Sequence, residues 1–134
     1  MNPGSLHDAA FWAAFWRDAV AAANADATLR EYAQHLRDLT LRLEVGQDTR
    51  RLRIDHGAVS LIDSDAPASV TISGPEDEWV RLIRGEITYG QATNVVHGRL
   101  RIGGDLLAAN WCVRPLWRLW RLTADMTAGG NAHV

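Results

Sequence analysis

The chain has 134 residues, 47% hydrophobic and 22% charged, with a formal net charge of −2. That is the length of one domain, long enough to bury roughly 68–70% of its unfolded surface, and the charge balance excludes a basic footprint for nucleic acid. Six tryptophans are more than a small core needs, so some of them are expected to line a cavity or an interface.

Ser5 with Asp8 three residues on reads as a helix start, the aspartate standing in for the glutamate of a capping box. Phe11, Trp12, Phe15, Trp16, Ala19 and Val20 follow at helical spacing and fade near Asn24. Asp26 caps a second piece with Leu29, Tyr32, Ala33 and Leu36 on one stripe; one kinked helix is the alternative. From Asp38 the period changes to two. Leu39, Leu41 and Leu43 alternate with polar residues up to a turn at Gly46-Gln-Asp-Thr49, and Leu52 and Ile54 resume the alternation, which makes a hairpin. His56-Gly57 is a second tight reversal before Val59, Leu61 and Ile62, and Val70 with Ile72 gives a fourth strand after a polar loop.

Pro75 then opens a helix whose first turn, Glu76, Asp77 and Glu78, suits the positive end of the helix dipole. Trp79, Val80, Leu82 and Ile83 form its apolar face, and Gly85 is a left-handed stop. Residues 86–97 read as a loop or a short helix around Tyr89 to Val96. The fifth strand is expected from Arg99 to about Leu107, and a last helix from near Trp111, with Pro115 in its first turn. The expected organisation is a single domain over 1–122 and a flexible tail over 123–134. Helices set outside a mostly antiparallel sheet place the fold in the α+β class.

Three segments in this order carry a family likeness: Leu52-Arg-Ile-Asp-His-Gly-Ala-Val-Ser-Leu61; Val70-Thr-Ile-Ser-Gly-Pro-Glu-Asp-Glu-Trp79 leading into Leu82-Ile-Arg-Gly85; and Gly98-Arg-Leu-Arg-Ile-Gly-Gly-Asp105. Over 38–122 the chain resembles the sterol carrier protein 2 (SCP2) family of sterol-binding and non-specific lipid-transfer domains. The resemblance implies a five-stranded sheet covered by helices, an apolar tunnel between them, and a last helix that forms part of the lid. It also implies a hydrophobic ligand (fatty acyl, sterol or polyketide-like) that is carried or presented to an enzyme.

The residues themselves offer little catalytic chemistry. All 14 basic residues are arginine, which removes lysine Schiff-base and lysine-nucleophile mechanisms. Combined with abundant alanine, this reads as drift in a GC-rich bacterial genome. Cys112 is the one cysteine, leaving no internal disulfide or thiolate metal cluster; beside Trp111 it reads as a small buried hydrophobe. The histidines have no metal-ligand spacing: His7 and His133 lie in termini, His56 in a reversal, and His35 between helix and strand. Gly103-Gly104 lacks the dinucleotide fingerprint. No cofactor and no metal are expected. The N terminus lacks a signal-peptide pattern and no segment reaches about 18 apolar residues, so the expected location is cytoplasmic.

Ligand-lining residues are expected to be Trp79, Ile83, Leu100, Ile102, Leu107, Trp111, Leu116, Trp117 and Trp120. Arg114, Arg118 and Arg121 share one face of the last helix; that face meets lipid headgroups in one reading, with at most peripheral membrane contact, and solvent in the other. Phe11, Trp12, Phe15 and Trp16 make a stripe wide enough for a homodimer or a partner-enzyme interface, internal burial being the alternative. If the cavity hosts proton-transfer chemistry instead, His97, Tyr89 and Asp105 are the candidates.

Overall fold

A computed structural model describes residues 7–132. Ser5 and His133 lie outside that range. In chain order the elements are α1 (Ala9–Ala25), α2 (Ala27–Ala33), β1 (Leu39–Val45), β2 (Asp48–Asp55), β3 (Ala58–Ile62), β4 (Val70–Gly74), α3 (Glu76–Ile83), α4 (Tyr89–Thr93), β5 (Arg101–Gly104), α5 (Leu106–Trp111) and α6 (Val113–Ala132).

Local chemistry sets most of these boundaries. Asp8 caps α1 by accepting from the Phe11 N–H at 2.9 Å, and Asp26 caps α2 by accepting from the Leu29 N–H at 2.8 Å. Each satisfies a donor that the first helical turn leaves without a partner. The two-residue reversal His56-Gly57 has φ of 51° and 86°, both positive as a type I′ hairpin turn requires. The β1–β2 turn is tighter than expected, because pairing already begins at Val45 with Asp48. Helix α3 ends at Gly85, whose φ is +77°. There the Glu86 N–H donates to the Arg81 carbonyl at 2.9 Å and the Gly85 N–H to the Leu82 carbonyl at 3.1 Å. That is the paired closure of a Schellman motif.

The five strands form one sheet in the order β3-β2-β1-β4-β5. All neighbours run antiparallel except β1 and β4, which pair in parallel, with Leu43 opposite Ile72. Leu39, Leu41, Leu43, Leu52, Ile54, Val59, Val70 and Ile72 are buried, while Arg42, Arg51, Arg53 and Asp55 alternate with them on β1 and β2 at partial exposure. This is the pattern of a sheet covered on one face and wet on the other. Helix α1 packs on β3, where the Asn24 side chain takes both backbone groups of Val59 at 2.8 Å and so satisfies the edge strand.

Three C-terminal expectations change. The fifth strand covers only Arg101–Gly104, because the Asp105 carboxylate accepts from the Leu107 and Ala108 N–H groups at 3.0 and 3.1 Å and starts α5 there. The last helix is interrupted at Cys112, separating α5 from α6. The expected tail over 123–134 is instead helical through Ala132. Thr123 is buried and Met126 packs against the core, so α6 keeps an apolar contact well past its expected end. Among the described residues no helix is long and apolar enough to cross a membrane.

Candidate functional site: a pocket against the aromatic core

The aromatic stripe of α1 goes into the interior. Trp12, Phe15 and Trp16 are buried and Phe11 packs against the same core, so within the monomer this stripe offers no open aromatic face for a second chain. Trp16, Trp79 and Trp120 form a triangle of edge-on rings with centroids 5.7–6.1 Å apart, a favoured geometry for aromatic pairs. Trp12 stacks on Trp16 at 6.2 Å and Tyr89 lies 6.5 Å from Trp120.

Two of the indoles have their polar atom satisfied. Trp12 Nε1 donates to Glu76 Oε2 at 2.7 Å, and Trp79 Nε1 to the Glu44 carbonyl at 3.0 Å. Among the described residues, Trp16 Nε1 and Trp120 Nε1 are buried without a hydrogen-bond partner. Leaving such a donor dry costs roughly 1–3 kcal/mol.

Where α3 ends against α4 and α6 there is a pocket of about 110 Å³, lined by Leu82, Gly85, Ile87, Thr88, Tyr89, Trp117, Trp120, Arg121 and Ala124. Gly85 makes this approach possible, since a Cβ there would sit 2.9 Å from the Ala124 Cβ. The pocket is on the scale of the ~150 Å³ apolar cavities that hold one benzene ring. That volume matches one ring or a few methylene groups and is smaller than the tunnel that the family likeness implies. Burial raises the Tyr89 phenol above its ordinary pKa, so it stays neutral.

Of the nine residues expected to line a tunnel, Trp117 and Trp120 line this pocket. Trp79, Ile83, Leu100 and Leu116 are core side chains, and Ile102 is half-buried opposite Ile72. Leu107 and Trp111 are exposed. The lining residues Ile87, Thr88 and Ala124 carry no sequence signal, because a loop, a cap and a helical alanine acquire this role only through the α3–α6 contact. The arginine face also divides. The Arg118 guanidinium makes a two-pronged ion pair with Asp26 at 2.8 and 2.8 Å, and that guanidinium holds the Asp26 carboxyl down at about 2. Arg114 sits over the Tyr32 ring at 5.3 Å. Arg121 lines the pocket.

The proton-transfer candidates have separate occupations. Asp105 caps α5, His97 lies exposed in the loop after α4, and Tyr89 is buried at the pocket. Burial pushes the Cys112 thiol up to about 12. Among the described residues no group of three or more His, Cys, Asp or Glu is arranged to hold a metal ion.

The sequence model of the SCP-2 sterol transfer family matches residues 18–111, a range that starts within α1 and stops just before α6. No curated protein is matched. The fold is similar to a crystal structure of sterol carrier protein 2, with a TM-score of 0.68 and 18% identity, covering 83% of this chain and 94% of the other. It is also similar to a conserved hypothetical protein of Thermus thermophilus, described as possibly a sterol carrier protein (TM-score 0.64, 16% identity, coverage 93% and 92%). A ubiquinone synthesis protein, UbiJ-SCP2, aligns with a TM-score of 0.61 at 18% identity, covering 85% and 96%. With its whole sheet and its three punctuated segments inside the matched range, the chain belongs to the SCP-2 sterol transfer family.

Proposed function

We propose that the protein binds a hydrophobic small molecule, of fatty acyl, sterol or polyketide-like type, and carries it or presents it to an enzyme. The observation that carries this reading is the largely apolar pocket bounded by Tyr89, Trp117 and Trp120. A ligand that brings an apolar ring or chain fills that empty volume and leaves water.

The size of the pocket constrains the mechanism. One ring buries roughly 150 Å², and at about 25 cal/mol per Å² this yields near 4 kcal/mol. Alone, that corresponds to about millimolar affinity before ordering costs. A useful carrier therefore opens further, and α6 is the wall that moves, because α6 supplies Trp117, Trp120, Arg121 and Ala124.

The test is native mass spectrometry of freshly purified protein, followed by titration with fluorescent fatty-acid and sterol probes. A co-purified lipid or saturable binding with a change in tryptophan emission supports the reading. Absence of both across several lipid classes overturns it.

A further inference from the structure

Among the described residues, five of the eight exposed large apolar side chains, Leu106, Leu107, Trp111, Val113 and Trp117, lie on one stretch of chain, while Leu61, Val95 and Val96 lie elsewhere. Leu106, Leu107 and Trp111 of α5 are 70%, 60% and 54% exposed, and Trp117 of α6 is 46% exposed. Folding has not hidden these residues even though the same helices bury Ala108, Ala109, Leu116, Leu119 and Trp120. Clustered exposed indoles and leucines mark an interaction surface more strongly than scattered ones.

The charges beside them decide the partner. Arg114 and Arg121 bracket Trp117 by one turn on either side, and both are exposed. Among the described residues neither forms an ion pair, whereas Arg118 is neutralised by Asp26. The acids on this stretch are Asp105, occupied as the cap of α5, and Asp125, one turn beyond Arg121. Indole and leucine side chains beside exposed guanidinium groups, that of Arg121 and that of Arg114, which also lies over the Tyr32 ring, are the chemistry of a helix lying in an anionic bilayer interface: the rings enter the headgroup region and the arginines meet phosphate. The face is also continuous with the pocket, since Trp117 and Arg121 belong to both.

We infer that the outer face of α5 and the first half of α6 docks onto an anionic lipid surface, with Trp111 and Trp117 as anchors and Arg114 and Arg121 as headgroup contacts. The pocket mouth then faces the bilayer, and a hydrophobic ligand passes between them without crossing water. The inference deepens the ligand-binding reading, but vesicle docking needs no cargo and is measured without one.

The experiment is co-sedimentation of the full chain with phosphatidylcholine vesicles, with and without phosphatidylglycerol, in parallel with quenching by brominated phosphatidylcholine. Expected are binding that requires phosphatidylglycerol and weakens with salt, and quenching that is lost in the double variant Trp111→Ser with Trp117→Ser. Arg121→Ser is expected to weaken binding roughly fivefold. The four side chains are exposed, and an unchanged thermal melt confirms that the variants fold. No binding to anionic vesicles, or binding that the double variant retains, overturns the inference. So does a dimer in size exclusion that the double variant dissolves, because the face is then a contact between two copies. The probe titration of the ligand site is run on the same variants, so loss of docking and loss of ligand binding are read separately.

Discussion

The indole Nε1 of Trp12 donates to the Glu76 carboxylate at 2.7 Å across a separation of 64 residues, joining the first helix to the first turn of α3. Glu76 also accepts from the His7 N–H at 3.0 Å. The residue therefore does more than favour a helix dipole: it is the buried acceptor on which the N-terminal helix seats. Glu78, two residues on, does the same for the strand side by accepting from the Arg99 N–H at 3.1 Å.

Replacing Trp12 with Phe keeps most of the apolar volume and removes that donor. Hydrogen bonds to charged groups are worth about 1.5–3 kcal/mol, so urea unfolding of Trp12→Phe is expected to show a loss near 2 kcal/mol. A loss under about 0.5 kcal/mol would mean that Glu76 does not rely on the indole.

The unpartnered indoles give a paired comparison. Trp79→Phe breaks a bond to the Glu44 carbonyl, while Trp120→Phe removes an N–H that has no partner among the described residues. Both lose the same atoms, so Trp79→Phe is expected to be the more destabilising by about 1 kcal/mol. Equal losses in thermal or urea unfolding contradict the assignment of Trp120 Nε1 as unsatisfied.

The Asp26–Arg118 pair sets an acid limit. The folded-state pKa of Asp26 is depressed to about 2, below its unfolded value near 3.9. Its stabilisation is therefore complete above about pH 5 and lost as pH falls towards 2. Asn also caps helices, so Asp26→Asn retains the cap and removes the charge. The variant is expected to show a shallower decline of stability between pH 5 and pH 2 than the parent. Parallel declines would place the acid sensitivity elsewhere.

Ile87 is half-buried at the pocket. Ile87→Phe fills part of the 110 Å³ and is expected to weaken fatty-acyl or sterol probe binding about tenfold, while stability changes by less than about 1.5 kcal/mol. Unchanged probe affinity with a folded variant would move the ligand site away from this pocket.

Cys112 is fully buried with its thiol pushed up to about 12. Native protein is expected to react with a thiol reagent at pH 8 about a thousandfold more slowly than the urea-unfolded chain, since the thiolate is the reactive form. Comparable rates would show that α5 and α6 open readily.

Residues 38–62 show what was legible in the chain itself. Strict alternation of leucine and isoleucine with arginine and aspartate dictates strands with one buried face, and His56-Gly57 dictates the reversal between two of them. Asp26, Pro75 and Gly85 likewise mark helix ends because capping depends on neighbours a few residues away. The family likeness rested on these local marks, and they hold in the structure. Asp105 shows the limit of the same reasoning, since its cap was read as the turn after a longer strand.

Long-range packing decided the rest. Helical periodicity cannot tell Trp117 from Trp120, yet three residues separate an exposed ring from a buried one, and the difference is set by how α6 crosses α3 and α4. Nor does the α1 stripe disclose that Trp16 meets Trp79 and Trp120. The parallel pairing of β1 with β4, and the pocket that Gly85 opens against Ala124, depend on segments distant in sequence. Alternation and capping act over a few residues of backbone, so the local order of residues writes them directly. Which apolar face is covered depends on the joint packing of the whole chain.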